Sequence, residues 1–230
     1  MKKYYSLSCL SLLLLCLFSC GNTTSKVKCT AIDLGLPSGN LWADMNLGAS
    51  APEENGDFFF WGDVTPCSAG SRYKYIEDSY YTGGREVKYL KYITSNEYGV
   101  VDNRLILETT DDAATAMLGD GWTVPTLEDI DELLSCCTWK EVERNGIKGI
   151  ALLGPNGNSI FLPRPGDYDP LYFNINDNGY AHYWSNSLAP KLSDEFAYTL
   201  AVTNTWKGTQ LEKDEKYRVH PAMIRPVKHK

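Results

Sequence analysis

Ile147-Lys148-Gly149-Ile150-Ala151-Leu152-Leu153, then Gly154-Pro155-Asn156-Gly157-Asn158, then Ser159-Ile160-Phe161-Leu162: this is the stretch from which the fold class follows. Two apolar runs of strand length flank five residues that accept positive φ or preset a bend, the pattern of a β-hairpin. Before the hairpin, Thr110 or Asp111 can cap a helix over Asp112 to Leu118, which Gly119 ends, and Thr126 starts a second helix. In the second, Leu127, Ile130 and Leu134 recur on one face with Leu133 beside them, while Glu128, Asp129, Asp131 and Glu132 face water and suit the first turns. That acid cluster reads as solvation, since nothing in the sequence sets it against a pocket that would desolvate one carboxyl. Further strand candidates are Ala181 to Ser185, Phe196 to Val202 and Tyr217 to Val227. Ahead of the helices, Ala31 to Ala49 and Asp57 to Trp61, the latter holding Phe58-Phe59-Phe60-Trp61, read as buried strands. Strands, then helices, then strands predict an α+β fold, a mostly antiparallel sheet with two helices and long loops.

The N-terminus carries an address. Lys2 and Lys3 precede an apolar run from Leu10 to Phe18 that closes on Leu17-Phe18-Ser19-Cys20-Gly21. The run is far below the roughly 20 residues that a membrane-spanning helix needs, so it reads as a removable export signal. A cysteine preceded by Leu-x-Ser and followed by Gly resembles the bacterial lipobox, which implies cleavage before Cys20 and acylation of that residue. The expected organisation is therefore a signal peptide over 1–19, a lipidated Cys20 with a polar spacer to residue 28, and one domain over 29–230. Each buried methylene contributes about 0.8 kcal/mol, so more than one acyl chain makes such a tether durable. Outer-membrane attachment is the expectation. Gly21 to Lys28 contains no acid to choose between the periplasmic face and the cell surface.

Lys and Arg number 22 against 29 Asp and Glu, a net charge of −7. With no basic run after the signal, the chain is unsuited to nucleic acid and has no polybasic patch for anionic lipid. Cys9 and Cys16 would leave with the signal, and acylation would consume the Cys20 thiol, so Cys29, Cys67, Cys136 and Cys137 remain. An exported chain meets oxidising surroundings, which makes these four the disulfide candidates. Cys29 or Cys67 would bridge to the Cys136–Cys137 pair, whose members are poorly placed to bridge each other. No Cys-x-x-Cys occurs and none of the three histidines sits at ligand spacing from a cysteine, so no metal site or cofactor is expected.

A set of phrases in fixed order then stands out: Asp33-Leu34-Gly35-Leu36, Trp42-Ala43, Asn46-Leu47-Gly48-Ala49, Glu54-Asn55-Gly56-Asp57 through Trp61-Gly62, and Asp111-Asp112-Ala113-Ala114. Gly121-Trp122-Thr123-Val124-Pro125-Thr126, Cys137-Thr138-Trp139, Gly154 to Pro163, Tyr183-Trp184-Ser185-Asn186-Ser187 and Arg225-Pro226-Val227 continue it. Together they resemble the Fibrobacter succinogenes major paralogous domain, over about residues 31 to 228. The resemblance implies a C-type-lectin-like fold related to the sulfatase-modifying-factor group, with no established enzymatic activity. Formylglycine-generating relatives of that fold depend on cysteines late in the chain, whereas this one has none after Cys137. Calcium-dependent lectins use a Glu-Pro-Asn or Gln-Pro-Asp triplet with Trp-Asn-Asp, because calcium needs several converging hard oxygens. Here Trp184-Ser185-Asn186 lacks the final acid and Pro155-Asn156 follows Gly154, so no lectin-type calcium site is expected, and Asp102, Asp111 and Asp112 are left as the acids that could hold an unrelated ion.

The functional expectation is a tethered domain that binds a glycan or a surface protein without catalysis. Its candidate contacts are Tyr168, Asp169, Tyr172, Asn174, Asn176 and Asn178 in an Asn- and Asp-rich loop, and Trp206 between two polar stretches. An exposed Tyr or Trp can stack on the apolar face of a sugar while Asn and Asp hold its hydroxyls. In some relatives the corresponding late segment is hypervariable and selects ligands, which makes 167–178 and 203–216 the logical contact surface. Asn and Asp equally make turns, and Trp184 reads as core. Seven of the 15 tyrosines lie between Tyr73 and Tyr98, which supports an alternative: an envelope assembly component acting through that segment, unless the segment only covers the core. A hydrolase is a third reading, and it would need two carboxylates about 5–5.5 Å or 6.5–9.5 Å apart across a cleft. His182 and His220 have no nucleophile close in sequence and read as ordinary strand or loop residues. Mass spectrometry of the mature N-terminus should find an acylated Cys20 as residue one, and a free, unmodified Cys20 refutes the tether.

Overall fold

A computed structural model describes residues 29–68, 71–75, 88–119, 121–169, 174–176 and 179–230. Among them the chain runs β1 (Ala31–Asp33), β2 (Leu41–Ala43), a 3-10 turn (Thr109–Asp111), α1 (Ala113–Leu118), β3 (Trp122–Thr123), α2 (Leu127–Cys136), β4 (Thr138–Arg144), β5 (Ile147–Leu153) and β6 (Ser159–Pro163). There follow β7 (Asp167–Asp169), β8 (Asn174–Asn176), β9 (Ala181–Leu188), β10 (Phe196–Thr205), β11 (Gly208–Tyr217) and β12 (Val227–Lys228). Four sheets form, in the orders β1-β2-β12-β3, β11-β10-β9, β4-β5-β6 and β7-β8, and every pairing within them is antiparallel. The protein is α+β, mostly antiparallel, with two α-helices among the described residues.

The hairpin forms as its sequence dictates. Gly154 N–H donates to the Asn158 carbonyl and Gly157, at φ 87°, donates to the Gly154 carbonyl. The turn is also docked: the Asn156 and Asn158 side-chain amides both donate to the Asp33 carbonyl, at 2.9 and 2.8 Å. A Cβ on Gly154 would stand 2.1 Å from the Leu34 carbonyl oxygen, so only glycine lets the turn approach β1. In α2, Thr126 is the N-cap as expected, closing a capping box with Asp129. Asp129 does not face water. It is 4% exposed and accepts from Thr126, from Asn40 Nδ2 at 2.9 Å and from His229 Nε2 at 2.9 Å. Glu132 likewise turns back, accepting from the Ser38 backbone and hydroxyl. The cap of α1 is Asp112, which accepts from Thr115 N–H, and not Thr110 or Asp111, because Asp111 is drawn inward.

Several strand expectations need correction. Phe58 to Trp61 is not a strand; one bridge, Phe59 to Ala222, holds it, and its four rings enter three separate core clusters. Phe58 joins Trp42, Ile150 and Leu200; Phe59 and Trp61 join Trp184 and Ile224; Phe60 joins Tyr73, Tyr89 and Val219. Tyr217 to Val227 is irregular apart from its bridges and its two ends, Tyr217 closing β11 and Val227 opening β12. Five strands went unexpected: β3, β7 and β8, each only two or three residues long; β4, an edge strand of alternating charges; and β11, read as loop because nine of its ten residues are polar, charged, aromatic or glycine. The expected disulfide is not formed: Cys29, Cys67, Cys136 and Cys137 are free thiols. Cys67 packs against the Phe60 cluster, whereas Cys136 and Cys137 belong with the Trp42 cluster, which sets Cys67 apart from that pair; Cys29 is half-buried and belongs to neither cluster. Burial pushes the Cys67 thiol up to about 12 and the Cys137 thiol up to about 11.

The second strand and the last one meet. Trp42 pairs with Val227, and β12 lies between β2 and β3. Beside this seam Arg225 is fully buried and forms no ion pair with a carboxylate among the described residues; it donates to Asn46 Oδ1 (2.9 Å), the Ala43 carbonyl (3.1 Å) and the Phe161 carbonyl (2.7 Å). Burial pulls its pKa down to about 10, which leaves it charged at neutral pH.

Arg225→Met should lower stability by about 3 kcal/mol or more, read from the urea midpoint, since each orphaned buried acceptor costs about 1–3 kcal/mol. A loss below about 1 kcal/mol would refute its role as a strut. For Asp129, burial alone raises the pKa, but the Thr126, His229 and Asn40 hydrogen bonds together hold it below its ordinary 3.8. A depressed folded pKa adds stability above the unfolded value and loses it as pH falls through the folded one. The stability gap between the protein and Asp129→Asn should therefore be full above about pH 5 and shrink steadily below about pH 4; a gap independent of pH overturns this.

Candidate functional site

The hairpin of β10 and β11 turns on two residues, Trp206 and Lys207, between the paired Thr205 and Gly208. Gly208 takes φ 98°, the Thr205 hydroxyl donates to the Gly208 carbonyl, and Lys207 N–H donates back to that hydroxyl. With the backbone satisfied in this way, Trp206 projects into solvent, 91% exposed, with the Lys207 ammonium 5.0 Å from its ring centre. An indole this exposed gains nothing from the core, and its face is free to stack on an apolar surface.

Behind the tip lies a polar cluster. Asn204 Oδ1 accepts from Arg164 Nη1 (3.2 Å) and the Thr209 hydroxyl (3.2 Å), and its amide donates to the Gly179 carbonyl (3.3 Å). Arg164 also reaches the Thr209 hydroxyl (3.0 Å) and Glu141 (3.2 Å). The Tyr180 hydroxyl donates to the Asn204 carbonyl, while the Tyr180 carbonyl accepts from Gly166 N–H at the base of the β7–β8 hairpin. Glu141 and Arg164 also border a shallow depression of about 240 Å³ with Val142, Glu143, Lys148 and Gly149.

The base of the β7–β8 hairpin thus meets the tip end of the β10–β11 hairpin, and neither of the two segments expected to form a contact surface is a plain loop. Residues 203–216 lie mostly in the β10–β11 ladder. Tyr168 and Asp169 fall on β7, and Asn174 and Asn176 on β8, in the register Asp167 with Asn176, Tyr168 with Ile175 and Asp169 with Asn174. Tyr172, Asn178 and Cys20 lie outside the described residues. Arg164, Tyr180, Asn204 and Thr209 went unnoticed in the sequence because each is an ordinary polar residue until the pairing of β10 with β11 and the return of the chain at Gly179 bring them together.

Other candidates turn inward. Trp184 is core, its indole donating to the Phe59 carbonyl at 2.7 Å. Among the tyrosines of the 73–98 segment, Tyr73, Tyr89 and Tyr92 are buried, and Arg218 lies fully buried 3.9 Å from the Tyr89 ring centre. Tyr80 and Tyr81 lie outside the described residues. Those three rings cover the core and are unavailable as a contact face. Asp102 is saturated by the backbone N–H groups of Tyr92, Ile93 and Arg104, and Asp112 by those of Thr115 and Val124. Asp111, 5% exposed, accepts from Tyr75, Lys74, Lys91 and Tyr92. Burial would raise its pKa, but these donors, Lys91 first, draw it down to about 2, and burial together with the Asp111 carboxylate raises Tyr75 and Tyr92 above the usual phenol range. The three acids therefore do not converge, and no group of three His, Cys, Asp or Glu placed to hold a metal occurs among the described residues. His182 Nε2 stands 3.6 Å from Asp214, and His220 packs edge-on against Tyr217.

No protein-family model, no curated protein and no solved structure matches this chain. No helix among the described residues is long and apolar enough to cross a membrane.

Proposed function

We propose that this protein is an envelope lipoprotein, held at the outer membrane through Cys20, whose domain captures a glycan and performs no chemistry on it. The observation that carries the reading is Trp206, 91% exposed at the tip of a hairpin whose own backbone is satisfied. Around it stand the groups that sugar recognition uses: an indole face for the apolar side of the ring, and amide, hydroxyl and guanidinium groups from Asn204, Thr209, Tyr180 and Arg164 for its hydroxyls. Tyr168, Asp169, Asn174 and Asn176, on the β7–β8 hairpin, belong to the same end of the molecule through the contacts of Gly179 and Tyr180 with Asn204.

The same reading assigns the domain to the Fibrobacter succinogenes major paralogous group, with a C-type-lectin-like fold. Three features support it: pairing of the first strands with the last, two helices between them, and long irregular segments packed on antiparallel sheets.

A glycan array probed with residues 29–230 should show binding, and Trp206→Ala should weaken it at least about tenfold, the order expected when a stacking ring worth roughly 1.4 kcal/mol is removed. Absence of binding across a broad array, with the protein folded by circular dichroism, refutes the glycan reading.

A further inference from the structure

The Asp111 cluster is assembled like a reaction centre. Lys91 Nζ lies 2.5 Å from Asp111 Oδ2 and 2.5 Å from Glu108 Oε2, so one ammonium touches two carboxylates. Asp111 Oδ1 takes hydrogen bonds from the Tyr75 hydroxyl and Lys74 Nζ, while Oδ2 takes one from the Tyr92 hydroxyl at 2.5 Å. The rings of Tyr75 and Tyr92 flank the Lys91 ammonium at 5.7 and 5.1 Å, and Trp61 packs edge-on against Tyr92 at 5.0 Å. The Lys91 side chain is 16% exposed and that of Asp111 6%. A surface ion pair needs none of this. A buried aspartate and a half-buried lysine, with a second, exposed carboxylate on the lysine that Arg104 Nε also holds at 3.2 Å, and separate donors on each aspartate oxygen, carry the parts that an acyl transfer requires.

We propose that Lys91 and Asp111 condense without any other agent into an intramolecular isopeptide bond. The resting state is the ion pair, which the surrounding donors favour, and the reactive form is its neutral tautomer, a minor species, so the condensation is slow. One proton passes from Lys91 Nζ to Asp111 Oδ2, which it touches, while Glu108 Oε2, also in contact with Nζ, is placed to take the second proton as the amide forms and to pass it to the departing oxygen. Neutral Nζ attacks Asp111 Cγ; Tyr75 and Lys74 stabilise the negative charge that develops on Oδ1. The Nζ–Cγ bond forms and the Cγ–Oδ2 bond breaks. Oδ2 departs as water with the two protons that Nζ has lost, assisted by the Tyr92 hydroxyl, and one proton stays on the new amide nitrogen. The ammonium and the carboxylate cancel, so charge balances, and no oxidant, reductant or cofactor takes part. In water this condensation is unfavourable at ordinary concentrations; held in contact, such groups reach effective molarities of about 10⁵–10⁸ M, which moves the balance toward the amide. Glu108 is the catalytic base and acid of the step, while Lys91 and Asp111 are its substrates. The bond would tie the segment around Lys91 to the start of α1, and it stands or falls independently of glycan binding.

Peptide mass spectrometry of the purified, folded full-length protein tests this. The expected product is a branched peptide joining the Lys91 and Asp111 segments, lighter than their sum by one water, with fragment ions that locate the link at those two side chains. Lys91→Arg and Asp111→Ala should each yield only linear peptides. Glu108→Gln keeps both reacting groups and should also stay linear, or form the link at least about a hundredfold more slowly, the lower end of what a positioned acid–base group contributes; circular dichroism identical to the parent's shows that the variant is folded. Only linear peptides from the folded parent protein, after days at neutral pH, overturn the proposal. A link formed at the parent's rate in folded Glu108→Gln overturns the assigned role of Glu108.

Discussion

A guanidinium buried among dipoles, in no ion pair among the described residues, is the constraint on which this structure depends. Arg225 gives up its hydration and receives in return two backbone carbonyls and a side-chain amide oxygen, drawn from β2, from β6 and from the turn at Asn46. A buried charge is tolerated only when dipoles replace its water, so these three partners must be in place together. That requirement fixes the distance between the terminal sheet and the β4-β5-β6 sheet, and it places Asn46, whose amide donates to the Asn55 carbonyl, as the anchor of the loop that follows β2. Arg218 repeats the theme in an aromatic setting, donating to the Lys91 and Tyr92 carbonyls beneath the face of Tyr89. Two arginines seven residues apart thereby position, respectively, the sheets and the segment that carries Lys91.

What could be read in the sequence was what local chemistry decides. The hairpin at Gly154 to Asn158, the cap at Thr126 and the stop at Gly119 each depend on a few adjacent residues, and each occurs where expected. Long-range partners decided the rest. Phe58 to Trp61 has the composition of a strand, yet its rings serve three clusters at once, which a pleated ladder with two faces cannot do. Asp129 and Glu132 look solvated on a helical projection; the neighbouring Thr126 already makes Asp129 an acceptor in the capping box, and Asn40, Ser38 and His229 arrive from distant parts of the chain to complete the two sets. In β11, Glu212 to Lys216 lack the apolar alternation that marks a strand, because their partner β10 supplies the buried residues.

The candidate site divides along the same line. Trp206 was visible as an aromatic between polar stretches, and exposure is what the two-residue turn enforces. Asn204, Thr209, Tyr180 and Arg164 became visible only once β10 and β11 were paired and the chain returned at Gly179, where a Cβ would stand 2.4 Å from the Asn204 amide nitrogen. The cysteines failed for a related reason. Spacing can bring four thiols into consideration, but which core cluster each joins is a property of the assembled sheets.

The place of β12 bears on how the molecule is made. β12 sits in the interior of its sheet, between β2 and β3, and Arg225 lies two residues ahead of it. A chain emerging from its N-terminal end can form the central hairpin and the helices early, since those contacts are local, but this sheet has a gap in its middle until residues 225–228 arrive. Assembly therefore waits on that segment: a polypeptide truncated before Arg225 lacks both an interior strand and the charge that spaces the sheets, and the surveillance that removes unfinished chains would find β2 and β3 still unpaired along their facing edges.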